Sequence, residues 1–577
     1  MKRKGTIIFS LLFVLLFLPN ILLAQEVVLI PDNINGDYFG VINKFVMGDT
    51  TETGERAHPN AIYRLERGKI YDINEQMRID FNFTLDALPD DPSNPTRPPM
   101  VIVGKDAQGS FISPLFYLID DSTNIKFQNI IFSAIPFDEN FVARTQWLIF
   151  LEGAYHRFEM DNCIALGFSG SVLQPRYTDR CSYYFTNNIF FNNIHLTSVG
   201  GGGTYSNTVK TAYNDTIKFV NNTFFNNGDN NFLSWEFVDY IEFSHNTMYN
   251  MSIAALWLPY LTNAKFNDNL FYDYQTVGET EWEYVNGHWD KGTPRHGHAS
   301  ILKLNLVDPQ TLADHRMEES DRKVEAKNNV YYWSQTIRDY WANNTSQKDI
   351  DQGYSGKIYP VTWINHITDS MFTDKEHYPY LVQENNVELD PGFDATMGAA
   401  VLAKEIPFVK EYRKVGWTTL NVDERYYNPD GPGKLFDLNW PLSLDLTYTN
   451  TDVLTHAEGN FPAGDLNWYP DKKAEWLLTG VKKDPRQSVP SNYKLSQNYP
   501  NPFNPTTEIS FSIPVAGNTT LAVYNVLGQK VATLVSEKLS AGSYKYQFDA
   551  SNLTSGIYFY KLQSSNYSQI RKMTLLK

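Results

Sequence analysis

The densest grouping of reactive side chains in the 577-residue sequence is the stretch from Glu279 to Ser300, ETEWEYVNGHWDKGTPRHGHAS. Trp and Tyr rings stack on sugar faces, and Arg or Lys neutralises a carboxylate beside a bond about to be cut. Asp, His or a cation-depressed Lys can take the proton next to such a carboxylate. His288, Asp290, Arg295 and His296 are therefore the expected catalytic groups, and Trp282, Trp289, Trp235 and Lys291 the expected substrate-binding groups. The plainer alternative is a long polar loop whose Trp residues pack on a wall and whose His residues are solvated. His296 and His298 are a weak metal signal on their own. Clustered Asp offers Ca²⁺ ligands, but no specific loop stands out, so the metal stays unassigned and no other cofactor is expected.

Three further places carry candidate chemistry. His245 and Asp268 occupy equivalent positions of two repeats described below, close enough to pair on a solvent-facing turn. Thr197 to Lys210, TSVGGGGTYSNTVK, reads as a flexible loop. Glu236 and Asp239 flank the region of Trp235 as additional acids.

The element that must position these groups is a repeat. Seven segments share the pattern apolar-x-apolar-x-Asn-Asn-x-apolar: IKFQNIIF from Ile125, FEMDNCIA from Phe158, YYFTNNIF from Tyr183, IKFVNNTF from Ile217, IEFSHNTM from Ile241, AKFNDNLF from Ala264 and VEAKNNVY from Val324. Their starts lie 33, 25, 34, 24, 23 and 60 residues apart. The shorter spacings suit three short strands and three turns, and the excess reads as insertion on one coil. Alternating apolar residues make an inward-facing strand, and Asn tolerates the left-handed turn that must follow on every rung. Stacked amides at one strand spacing can donate and accept along the pile. The sixth position predicts a structural ladder of Asn188, Asn222, Asn246, Asn269 and Asn329, with the fifth position turned to solvent.

These octets resemble the pectate-lyase-like superfamily of right-handed parallel β-helices over roughly residues 60–400. That resemblance implies a ligand groove on the outside, framed by the turns that carry insertions. The Asp-Asp and Gly-His-Gly set of polygalacturonases is absent, since His296-Gly-His298 only reverses it. Residues 25–110 read as opening coils interrupted by the Pro-rich loop Leu88 to Pro99, and 335–487 as a closing wrap over the last rungs.

The two ends of the chain read as addresses. Met1 to Lys4 is basic, Ile7 to Leu23 is apolar, and Ala24-Gln25 is a plausible cleavage point, the layout of a secretory signal over 1–24. At the other end, 481–492 is a polar linker, and short alternating runs between Gly528, Gly542 and Gly556 predict a small antiparallel β-sandwich over 493–577. The segments NYPNPFNP from Asn498, VYNVLGQK from Val523, SGIYFYK from Ser555 and the basic end at Arg571 and Lys572 resemble the type A C-terminal sorting domain of the type IX secretion system. That resemblance implies the type IX machinery as partner and a secreted or outer-membrane cell-surface destination.

Composition fits this division. Met1 to Ala24 carries three cations and no acid, and Ser488 onward carries eight cations and three acids, so the chain's net −16 leaves −24 for residues 25–487. Such a body disfavours nucleic acid and anionic membrane, and repels a polyanion unless a local basic patch intervenes. Two cysteines, Cys163 and Cys181, exclude a disulfide scaffold but leave a single bridge open. No second apolar run is long enough to span a membrane. The fold class expected is all-β: a right-handed parallel β-helix over 25–480 followed by the sandwich. The function expected is carbohydrate contact outside the cell, as a polysaccharide lyase or glycoside hydrolase, with a non-catalytic glycan-binding, adhesin or scaffold protein as the alternative.

Overall fold

A computed structural model describes residues 26–576 except 92–93, 137–144, 196–202, 208, 210–211, 229–231, 254–255, 258–260, 287–298, 305, 308, 416–424, 426, 432–437, 479–480, 484–492, 499–500, 514–516, 540–541, 551–552 and 565–566. The expected signal at 1–24 lies outside the described residues.

The body is a parallel β-helix with three faces. The first sheet stacks the octet strands, among them Asn124–Gln128, Arg157–Asp161, Ser182–Thr186, Asn263–Asn267 and Lys323–Lys327. Each pairs in parallel register with the next, so Met160, Phe185, Phe219, Phe243 and Phe266 form one column. Phe185, Phe219, Phe243 and Phe266 are buried, and their rings stack at 4.4, 4.8 and 5.5 Å. The second sheet runs from Ile70–Ile73 through Met100–Val103, Ile164–Leu166 and Thr223–Phe225 to Val387–Glu388. The third comprises Met77–Ile79, Phe116–Leu118, Ile149–Ala154, Ser171–Asp179, Gly203–Asn207, Phe232–Ser234 and Leu256–Trp257.

The two-residue corner between the first and second sheets keeps the coils in register. Its first residue is left-handed on eight consecutive rungs: Asn129, Asn162, Asn187, Asn221, His245, Asp268, Asn328 and Asn385, with φ between 52° and 63°. Its second residue points inward. Asn188 Nδ2 donates to Asn222 Oδ1 at 3.0 Å, Asn222 to Asn246 at 3.0 Å, Asn246 to Asn269 at 3.0 Å and Asn269 to Asn329 at 2.9 Å, and Asn386 adds a further rung at 2.8 Å. Each amide also donates to a strand carbonyl, as Asn246 does to Phe219 O at 2.9 Å. A second file of amides stands at the corner after the second sheet, where Asn250 donates to Asn226 at 2.7 Å and Asn226 to Asn192 at 2.6 Å. Its trace in the sequence is the repeated Phe-Phe-Asn-Asn at 190–193 and 224–227.

The helix Val41–Met47 covers the opening coils, burying Val41, Ile42 and Val46. The closing wrap covers the outside of the second sheet. Trp440 and Leu442 pack on Met100, Ile102, Ile131 and Ile164, while Tyr448, Val453 and Ala463 pack with Leu270 and Val330. Sheet strands covered on both faces read as unbroken apolar runs, which explains Met100–Val103.

The wrap corrects the expectation that every fifth octet position faces solvent. Glu458 N donates to Asp268 Oδ1 at 2.9 Å and Leu466 N to Asn221 Oδ1 at 2.6 Å, and the Trp476 ring lies 5.1 Å from that of His245. His245 and Asp268 do pair, Nε2 to Oδ2 at 3.6 Å, but both are buried beneath this cover. Cys163 and Cys181 are separate buried thiols rather than a bridge.

After Leu256–Trp257 the third side of the coil gives way to helices. The helix Ala395–Val415 places Glu405 on the buried Arg425 guanidinium and Arg413 on Glu283 at 2.7 Å. Arg413 also donates to Val277 O and Gly278 O, which supply acceptors for a guanidinium taken out of water.

The C-terminal unit has its own core, built on Leu495, Ile509, Phe511, Leu521, Val523, Tyr560 and Leu575. Two four-stranded antiparallel sheets enclose it. Val481–Lys483, expected as linker, is instead the edge strand of one of them, pairing with Tyr544–Tyr546.

Candidate functional site

From Asn129 onward a two-residue corner joins each first-sheet strand to its second-sheet strand, so on those coils every additional residue falls between a second-sheet strand and the next first-sheet strand, the part of the coil that carries the third sheet. The earlier insertion, Leu88 to Pro99, lies instead between Phe83–Ala87 and Met100–Val103, at the corner of the first and second sheets. Loops at both borders of the third sheet make its outer face the floor of a groove.

On that floor the register aligns Arg78, Tyr117, Phe150 and Gln174, one per rung, all alternate to the inward column Met77, Phe116, Ile149 and Leu173. The Tyr117 and Phe150 rings meet edge to face at 5.4 Å, and Trp147 adds a third ring at 6.0 Å from Phe150. Arg78 lies 5.6 Å from the Tyr117 ring and Arg176 4.9 Å from the Phe150 ring. The Tyr117 hydroxyl donates to Glu152 at 2.9 Å, and burial together with that carboxylate raises its pKa. Tyr177 is 72% exposed on a bulge where the strand register shifts, and Tyr155 is 61% exposed at the corner. Both are left-handed, with φ of 50° and 59°, an unusual backbone for aromatic residues that holds their rings out at the rim.

Four rungs span roughly 14 Å at ordinary strand spacing. One rung is close to the length of a pyranose residue, so a flat ring on successive rungs matches an extended sugar chain. The guanidinium groups supply the local positive charge that an acidic body otherwise lacks.

The other outer face differs. On the first sheet, Lys218 pairs with Glu242 at 2.9 Å, Lys126 with Glu159 at 3.6 Å and Lys327 with Glu325 at 3.3 Å. These side chains are committed to one another.

Of the residues singled out from sequence, His288, Trp289, Asp290, Lys291, Arg295 and His296 lie outside the described residues. The bases of their loop are described. Glu279–Thr280 pairs with Ile358–Tyr359, the helix Glu281–Asn286 leads out, and Ala299 N returns to donate to Glu279 Oε2 at 3.1 Å. The loop leaves the coil directly after Thr276 and Val277, which stack on Met251 and Ser252, the residues leading to the last third-sheet strand. Trp282 is half-buried with Lys348 5.1 Å from its ring, and Trp235 is half-buried at the corner after Phe232–Ser234. Of the glycine-rich loop, Gly203–Asn207 is a third-sheet strand paired with Ser171 and Leu173, not a flexible lip.

Glu236 is interior. Ser234 Oγ donates to it at 3.2 Å, Asn214 Nδ2 at 3.1 Å, and the Tyr205 hydroxyl also donates. Burial pushes its pKa up to about 8, so the group is a neutral acid at neutral pH. Asp239, by contrast, is on the surface and held by Arg180 at 3.3 Å and by the Tyr213 hydroxyl. Among the described residues no group of three or more His, Cys, Asp or Glu side chains is placed to hold a metal. No helix among them is long and apolar enough to cross a membrane.

The aromatic strip escaped the sequence reading because Tyr117 and Phe150 lie outside the octets. Their signal was weak: an apolar residue at an alternate position of SPLFYLID and WLIFLEGA.

Comparison with known proteins gives three findings. Residues 497–575 match the family of secretion system C-terminal sorting domains, so the chain carries the type IX sorting domain and its destination is secretion or the cell surface. No curated protein sequence matches the chain. Among solved structures, a PL6 family polysaccharide lyase from Pseudopedobacter saltans is similar at 10% identity and a TM-score of 0.21, over 57% of this chain and 92% of that one.

Proposed function

We propose that this exported β-helix binds polysaccharide along the outer face of its third sheet. The observation that carries this reading is the register-aligned strip of Arg78, Tyr117 and Phe150, broadened by Trp147 and Arg176, on a face bordered by loops of variable length. In the same proposal the chemistry belongs to the Glu279–Ser300 loop. His288, Asp290, Arg295 and His296 act on a bound chain as lyase or hydrolase groups, and Trp289 and Lys291 hold it.

A non-catalytic binding role is the second reading. It is favoured by the state of the described acids near the strip, since Glu152 accepts the Tyr117 hydroxyl and Asp121 accepts Ala154 N at 2.7 Å. A panel of neutral and acidic polysaccharides separates the two. Binding that weakens in Tyr117→Ala and Phe150→Ala, with unsaturated or reducing ends that vanish in His288→Ala and Asp290→Ala, supports the enzyme. Binding without products supports the adhesin or scaffold. No binding across the panel refutes both.

A further inference from the structure

At the corner between the first and second sheets, on the opposite side of the coil from the groove, lies a cavity of about 260 Å³. Leu88, Pro89, Asp90 and Pro98 of the Pro-rich loop form one wall, Trp440 of the wrap another, and the corner residues Asn129, Asn162 and Asn187 line it beside Arg67.

The amide file along this corner is interrupted at the cavity. Elsewhere each Asn donates to the corner oxygen of the preceding rung: Asn162 to Asn129 at 2.7 Å, Asn221 to Asn187 at 2.8 Å and Asn328 to Asp268 at 3.0 Å. Asn187 breaks the rule and donates to Asp161 Oδ1 at 2.7 Å, an oxygen that also accepts the Thr186 hydroxyl. Among the described residues this leaves Asn162 Oδ1 without a donor.

Two neighbouring groups also have unused capacity. The contacts of Asp90 all fall on Oδ1, which accepts Thr96 N at 3.0 Å and faces Arg67 Nε at 3.1 Å. Arg67 spends Nε and Nη2 on Thr96 O. Asn162, Asp90 and Arg67, each with hydrogen-bonding capacity that the contacts above leave unused, therefore line a small cavity that Trp440 also borders.

We propose that this cavity is a second carbohydrate site that takes one neutral sugar residue. Sugar hydroxyls donate to Asn162 and Asp90 and accept from Arg67, and the apolar face of the ring lies against Trp440. The volume is just below the usual range for ligand pockets, which suits one ring rather than a chain. A uronate is excluded because Asp90 is an ionised carboxylate, its pKa held down by Thr96 N, and the one cation is already shared with it. The site does not depend on the groove.

Calorimetric titration of the secreted protein with glucose, galactose, mannose and glucuronic acid tests the proposal. A neutral sugar is expected to bind wild type. Asn162→Gly keeps the left-handed turn but removes the acceptor, and weakens binding about fivefold to tenfold, the effect of one lost hydrogen bond. Trp440→Ala abolishes binding, with melting confirming that each variant is folded. Tyr117→Ala with Phe150→Ala leaves it unchanged, which separates this site from the groove. The proposal is overturned if no neutral sugar binds at any soluble concentration, if glucuronic acid binds better, or if Asn162→Gly and Trp440→Ala bind as wild type.

Discussion

Glu236→Gln should stabilise the β-helix progressively as pH rises. With its pKa at about 8 in the fold, against 4.5 for a free glutamate, the buried carboxyl holds its proton while the unfolded chain has released it. Between those values the unfolded state binds fewer protons, so native stability is fully present below about pH 4.5 and falls as pH rises towards 8. The difference of 3.5 in pKa corresponds to a loss of up to about 5 kcal/mol across that window. Gln is isosteric and uncharged, and it fits the existing donors: its oxygen can accept from Asn214 Nδ2, while its amide faces the Tyr205 and Ser234 hydroxyls, which can also accept. Denaturant midpoints from pH 4 to 9 should show the Gln variant gaining several kcal/mol on wild type between pH 5 and 8, with the gap constant above. Parallel curves would refute the reasoning, because they would mean that Glu236 titrates alike in both states.

The other predictions concern separate parts of the molecule. Asn246→Ala removes the bonds to Phe219 O and Asn269 Oδ1 and strips Asn222 of its acceptor, so denaturation should show a loss of about 3–5 kcal/mol. Burial pushes the Cys163 thiol far up and the Cys181 thiol up to about 11, so thiol reagents at pH 8 should label neither until the chain is unfolded. Deleting residues 488–577 should leave the body inside the cell envelope, detected by fractionation, because the sorting domain is the export address. Phe150→Ala should cost about tenfold in polysaccharide affinity with a smaller effect on melting than loss of a core Phe, since it is only partly buried.

The interior was legible because one corner imposes one rule on every rung. A left-handed first residue and an inward amide restrict the corner to Asn and its substitutes, and the Phe column is fixed by the pleat alone. The outer chemistry was less legible for the same physical reason. A third-sheet position on the outer face such as Tyr117 or Phe150 obeys no repeat, and its neighbours along the groove, Arg78, Tyr117, Phe150 and Gln174, are 39, 33 and 24 residues apart in a chain of varying coil length. His245 and Asp268 show the complementary failure. Their octet position was read correctly, but burial came from Glu458 to Trp476, some 200 residues away, which no local pattern announces. The octets foretell the inward ladder at the sixth position, but not the break in the fifth-position file at Asn162, where Asn187 donates to Asp161 instead.

Hydroxyl-radical footprinting of the secreted protein with and without a bound polysaccharide measures the central claim most directly. Protection concentrated on Tyr117, Trp147, Phe150 and Tyr177, spread over rungs of one face, is the predicted result. Protection confined to the first-sheet ion pairs or to the C-terminal sandwich, with those four rings as reactive as in the free protein, would contradict it.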